Sequence, residues 1–203
     1  MGNLFTIGHS QHDTSYFIEM LKQHKINFVL DVRSTPYSKY AEQFNRENIE
    51  KTLRMDQIKY SFMGNYFGAR PSEAELYHAE GYLDFEKVRV SERFMIGFQN
   101  VMLGLQQENN IAFMCTEKDP FNCHRAIMVS RAFDLAGIEV NHILEDGNLQ
   151  SQSVLNDRLL DKYFPERNQM SFFDYLNNAD SVDHLVEAYR LRNKEIGYRM
   201  TDS

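Results

Sequence analysis

Short apolar runs alternate with segments of helical period along most of this chain. LFTIG (4–8), FVLDVR (28–33), IKYSFM (58–63), IAFMC (111–115) and IEVNHIL (138–144) have the length and content of buried strands. Between them, Asp13 or Thr14 can cap a helix that presents Tyr16, Phe17, Met20 and Leu21 to a core. Asn48 to Met55 reads as a short helix, and Ser91 caps a long one with Met95, Phe98, Met102 and Leu105 on one face. AIMVSRAFDLA (126–136) is helical in pattern and ends at Gly137; Asp146-Gly147 makes a turn. Ser153 opens a further helix that stops at Pro165. Strand alternating with helix predicts an α/β fold, a three-layer, Rossmann-like, mainly parallel sheet flanked by helices. That domain is expected over 1–164. A C-terminal helical arm follows over 165–203, with segments starting near Ser171 and Ser181, the second ending at Gly197.

Residues 64–90 break the alternation. Gly64, Gly68, Pro71 and Gly81 are interleaved with Tyr66, Phe67, Tyr77 and Tyr82, as in a functional lid or in an Ω-loop packed by its own aromatics.

Charge and cysteine usage narrow the function classes. No window approaches the eighteen apolar residues of a membrane span, and no secretory signal is evident, so a cytoplasmic protein without membrane contact is expected. Two cysteines fit a reducing compartment and are expected to stay unbridged. A net charge of −7 disfavours sequence-independent nucleic-acid binding, which needs a basic face. Locally, Arg33, Lys39, Arg46, Lys51, Arg54, Lys59 and Arg70 gather in one third of the chain, which keeps a small phosphate-bearing ligand in play.

The densest chemistry is CTEKDPFNCHR (115–125). A strand, a polar loop and a helix start in succession form an arrangement whose backbone N–H groups and dipole attract anions and favour a thiolate at Cys115. Ligands of parallel sheets bind at the carboxyl ends of the strands. There the first strand supplies His9 and Ser10, the second Asp31, Arg33 and Ser34, and the fourth Cys115 with Glu117 and Lys118. Cys115, His124 and His9 are the catalytic candidates, and Arg33, Arg125, Lys118, Ser10 and Ser34 the anion-binding ones. Asp31, Glu117 and Cys123 are expected to orient them. Cys115, Cys123, His124 and His9 could together ligate zinc, but an eight-residue step between cysteines is not the usual short metal hook, so no metal is assigned.

IGHS, DVRSTP with YSKYAEQFN, MGNYFG, CTEKDPFNCHR and HILEDGNL together resemble the domain-of-unknown-function 488 family over about residues 4–162. The resemblance implies a compact cytoplasmic α/β domain of mainly prokaryotic distribution, with no settled reaction. Its motif positions map to His9, Ser10, Asp31, Arg33, Ser34, Cys115, Glu117, Lys118, Cys123, His124 and Arg125. The arm after 165 inherits nothing from it.

These residues favour an enzyme acting on a small anionic substrate, a nucleotide or phosphorylated metabolite, with Cys115 near the reacting centre. One alternative is a non-catalytic nucleotide or nucleic-acid binding module, and another is rhodanese-like sulfur transfer or thiol redox chemistry. The spacing between cysteine and arginine, ten residues rather than six, departs from cysteine phosphatases. No particular cofactor or oligomeric state is indicated.

Overall fold

The computed structural model describes residues 1–166 and 183–200. Six strands form one sheet: β1 (Leu4–Gly8), β2 (Phe28–Asp31), β3 (Lys59–Phe62), β4 (Ile111–Cys115), β5 (Val140–Ile143) and β6 (Leu149–Ser151). Their spatial order is β3-β2-β4-β1-β5-β6, parallel except for β6, which pairs antiparallel with β5. The three strands expected to carry the site are therefore adjacent, with β4 between β2 and β1.

Alternation along each strand separates two cores. Leu4, Leu30, Ile111, Phe113 and Cys115 face one side, and Phe5, Ile7, Val29, Ala112 and Met114 the other. The second side is covered by α1 (Thr14–Gln23) and α2 (Arg46–Met55) through residues such as Phe17, Leu21, Ile49 and Leu53. On the first side lie α3 (Gly64–Phe67), α4 (Phe85–Val90), α5 (Glu92–Gln106) and α6 (Arg131–Leu135). They are joined there by α7 (Gln152–Tyr163) and α8 (His184–Ile196). Cys115 thus points toward the helical layer built by the middle and end of the chain.

Three details differ from the sequence pattern. Ser91 does cap α5, its hydroxyl accepting from the Phe94 N–H, but the buried stripe is Phe94, Gly97, Val101 and Leu105, with Met95 exposed. Leu105 is core as expected and Phe98 and Met102 pack against it, while Gly97 lies against Tyr66 and Phe67, where a Cβ would overlap both side chains. The segment after Cys123 is not a regular α-helix from its start. Arg125–Ser130 is a π-helical turn leading into α6, and the Ser130 hydroxyl donates to the Arg125 carbonyl at 2.8 Å. β6 was not legible, since it is three residues long and its Leu149 is largely exposed.

Residues 64–90 form a packed connection rather than a free lid. Phe67, Tyr77 and Tyr82 are buried, Tyr77 bridges Leu83, and the Tyr77 hydroxyl donates to the Pro71 carbonyl. The helix expected near Ser171 lies outside the described residues. The one near Ser181 starts at Asp183, whose carboxylate accepts from the N–H groups of Leu185 and Val186.

Gly8 shows how tightly the site end is closed. The loop after β4 crosses the end of β1, and a Cβ on Gly8 would overlap the Glu117 carbonyl. We expect Gly8→Ala to lower unfolding stability by about 2 kcal/mol or more, as overpacking against fixed backbone does. Chemical denaturation checks this, and a change within about 0.5 kcal/mol, typical of surface substitutions, would contradict it.

Candidate functional site

The site begins with Asp31, the last residue of β2. It lies in an apolar strand with no exposure to solvent, and an unpaired carboxylate there would be costly. Its two oxygens accept from Nε and Nη2 of Arg33 at 2.9 and 2.6 Å, from the Arg33 N–H, and from the Tyr60 hydroxyl. Arg33 is bound bidentately, and Nη2 also donates to the Phe44 carbonyl. Burial opposes the Arg33 charge, but the hydrogen bonds and charge of Asp31 outweigh it and raise the pKa.

His9 completes this group. Its ring stacks on Phe44, Nδ1 lies 2.9 Å from the Ser10 carbonyl and Nε2 3.1 Å from Arg33 Nη1. The carbonyl can only accept and the guanidinium can only donate, so Nδ1 carries the proton and Nε2 receives the Arg33 bond. Burial, then the Arg33 charge, pushes the His9 pKa down to about 4. The imidazole is neutral at physiological pH and holds Arg33 in place. Ser10, with a φ of 45°, turns the chain here, its N–H donating to the Thr116 carbonyl.

The CTEKDPFNCHR loop is fixed from within by Arg125. This side chain has no exposure, and it donates to the Thr6 hydroxyl and to the carbonyls of Glu117 and Lys118. It holds the loop onto β1 and does not line the cavity beyond. Asp119 caps the turn Pro120–Asn122 through the Phe121 N–H and is clamped bidentately by Arg158 of α7. From α8, Arg192 donates to the Phe121 carbonyl and to Asn122 Oδ1. The C-terminal helix α8 therefore grips the loop directly, although it lies outside the resemblance noted over about residues 4–162.

Cys115, Cys123 and His124 converge at the cavity floor. Both cysteines are free and buried. His124 Nδ1 lies 3.8 Å from the Cys115 sulfur and 4.0 Å from that of Cys123, while its Nε2 lies 3.0 Å from the Val32 carbonyl. Nε2 must then carry the proton, which leaves the Nδ1 lone pair facing the two thiols. The two thiols are hydrogen-bonded to each other, so their titrations are linked. The hydrogen bond to Cys123, burial and the charge of Cys123 push the Cys115 pKa well above the ordinary thiol value. Burial works against a Cys123 thiolate, but the hydrogen bond from Cys115, the Arg125 guanidinium and His124 together hold its pKa well down. The Arg125 guanidinium favours the thiolate form at both sulfurs.

A cavity of about 460 Å³ opens over this floor, lined by both cysteines and His124, by Arg33, Ser34, Thr35 and Tyr37 after β2, and by Arg70. Ile196 and Tyr198 close it from the end of α8. Gly64 brings the MGNYFG segment against the chain at 33, where a Cβ would overlap the Arg33 carbonyl, and a Cβ on Gly68 would overlap the Gly64 carbonyl. A sequence model of the domain of unknown function DUF488 matches residues 13–132. The chain belongs to this family. No curated protein and no solved structure matches it. The DUF488 match covers Asp31, Arg33, Ser34 and the whole Cys115–Arg125 loop, whereas His9, Ser10 and α8 lie outside it.

Of the residues singled out in the sequence, Arg33, Ser34, Cys115, Glu117, Cys123 and His124 line one cavity. Asp31 and His9 stand behind Arg33. Lys118 instead faces Glu145 across the surface at 2.9 Å, outside the cavity. Asn122, Ile196 and Tyr198 also line the cavity, with no signal in the sequence to single them out. Arg70, seen there only as part of a basic cluster, is the member of that cluster that joins Arg33 at the cavity.

Proposed function

We propose that the chain is an enzyme acting on a small anionic substrate, with the Cys115–Cys123–His124 cluster at the reacting centre. The observation that carries this is a shared wall: two guanidiniums and the hydroxyls of Ser34, Thr35 and Thr116 line the same cavity as the thiols. Its volume falls in the range of small-molecule sites, and it lies outside the carboxyl ends of β2 and β4, where parallel sheets bind ligands. Nη1 of Arg33 has a second N–H without a partner among the described residues, and Arg70 has a ring contact with Tyr198 but no ion pair among them. Tyr37 and the Arg70–Tyr198 pair bring aromatic surface to the same lining, which suits a nucleotide better than inorganic phosphate. Glu117 is the one carboxylate in the lining and is placed to take up a proton from the substrate.

A thermal-shift screen of orthophosphate, nucleotides, sugar phosphates and thiosulfate tests the anion site. Arg70→Ala is the informative variant because Arg70 is exposed, whereas removing Arg33 would strand Asp31. We expect at least one anion to raise the midpoint, with affinity falling about 10- to 100-fold in Arg70→Ala, the cost of one charge-assisted hydrogen bond. If no anion shifts the midpoint, or Arg70→Ala binds as well as wild type, the anion site is refuted. Turnover of the anion that binds then separates an enzyme from a non-catalytic module.

A further inference from the structure

We propose that Cys115, Cys123 and His124 form a mononuclear zinc site whose fourth position opens into the anion cavity. The sequence spacing argued against metal because it lacks a short hook, but the fold replaces the hook: β4 delivers Cys115, and the turn at Pro120–Asn122 brings the chain back with Cys123 and His124. One ligand atom from each lies within 4.8 Å of the others. For tetrahedral zinc, with Zn–S near 2.3 Å and Zn–N near 2.0 Å, ligand atoms stand roughly 3.5 to 3.8 Å apart. The sulfur–nitrogen separations of 3.8 and 4.0 Å need only a few tenths of an ångström to close on an ion.

A second observation is independent of this spacing. Ligating histidines almost always donate their other ring N–H to a carbonyl or carboxylate, which fixes the tautomer and aims the lone pair. The Val32 carbonyl does this for His124, so Nδ1 presents its lone pair where an ion shared with the two sulfurs would sit. His9 is excluded, its ring nitrogens being committed to Ser10 and Arg33.

The ligand set also suits the charge. Two thiolates and a neutral imidazole around Zn²⁺ make a neutral group, and the ion itself deprotonates the thiols that ligate it. Two cysteines and one histidine with a vacant position is a catalytic rather than a structural composition. The cavity floored by these three residues also carries Arg33 and Ser34, so an oxygen of a bound anion, or a water, would complete the tetrahedron. The inference deepens the anion-site proposal. It is decided by metal binding alone, without any anion, so either can fail while the other stands.

The test uses the full chain, reduced and stripped with chelator under anaerobic conditions, then titrated with zinc or cobalt alone. The expected result is one ion per chain at better than micromolar affinity. The cobalt form should show the thiolate-to-cobalt charge-transfer bands and strong visible bands of a tetrahedral ion. Cys115→Ser, Cys123→Ser and His124→Asn should each lose more than the roughly 10- to 100-fold that removing an outer partner costs. His78→Asn, outside the cavity, should bind as wild type. Sub-stoichiometric or weaker-than-micromolar binding by wild type overturns the proposal. So does a cobalt spectrum without thiolate bands, and that measurement needs no variant to fold.

Discussion

Asp31→Asn is expected to destabilise the protein by about 3 to 5 kcal/mol. The substitution preserves shape and removes only charge, so the loss is not a cavity effect. What it leaves is the Arg33 guanidinium, 5% exposed, facing a neutral amide where it had two carboxylate oxygens. Breaking a buried ion pair from one side carries a penalty of this size, because the surviving charge stays out of water. His9 cannot compensate, since its Nε2 already accepts from Nη1 and its proton is committed to Ser10. Arg33→Gln should cost a similar amount by stranding Asp31. The double variant Asp31→Asn/Arg33→Gln should then fall short of the sum of the two by about 2 kcal/mol, the coupling expected of contacting charges. Urea denaturation of the four proteins measures this. A cost below about 1 kcal/mol for Asp31→Asn, or strict additivity, would mean that water reaches the pair and that Arg33 is not held rigidly at the cavity wall.

The same pair shows what could be read before the fold was known. Asp31 inside an apolar strand required a partner, and the structure supplies it two residues on, in Arg33. The strands were legible because a parallel sheet buried on both faces writes continuous apolar runs. That β1, β2 and β4 are neighbours follows from topology, yet their polar ends already marked the common edge.

The thiol cluster was less legible. Sequence separation places Cys115 and Cys123 at opposite ends of a loop. Their approach depends on a turn at Pro120–Asn122 and on Arg125, Arg158 and Arg192, which tie that loop to β1, α7 and α8. Arg125 stands where the strand–loop–helix arrangement attracts anions, which is why it reads as an anion ligand. The π-helical start and the carbonyls of Glu117 and Lys118 give it an internal use that no local pattern announces. Tyr198 and Ile196 reach the cavity only because α8 packs back on the domain, a long-range event without a local signature.

Folding stability should fall steeply on mild acidification, and two buried imidazoles are the cause. His142 is fully buried, its Nδ1 2.8 Å from the Thr6 hydroxyl and its Nε2 2.9 Å from Gln152 Oε1. Arg125 donates to that same hydroxyl oxygen, so the Thr6 O–H is directed at Nδ1, and the ring is neutral with its proton on Nε2. A second proton would set N–H against O–H with the Arg125 charge behind it. Burial, then that charge, pushes the His142 pKa down to about 3; Cys123 and Asp119, the nearby anionic groups, do not offset it. His9 is held at about 4 by burial and Arg33. In the unfolded chain both imidazoles titrate near 6.5. Above about pH 7 neither state binds the protons, and stability does not depend on these groups. As pH falls through 6.5 the unfolded state takes up two protons that the native state refuses, so unfolding becomes easier. The loss should be about 2 kcal/mol between pH 6 and pH 5, before the carboxylates begin to titrate. It should continue until the native pKa values are reached, near 4 for His9 and near 3 for His142. Denaturant titrations at half-unit steps of pH give the slope directly. His142→Gln, whatever it does to absolute stability, should reduce that slope by about half, to one proton. A free energy of unfolding that stays flat from pH 7 to pH 5 would show that the native protein accepts both protons, and the Arg125–Thr6–His142–Gln152 chain with a neutral imidazole would then be wrong.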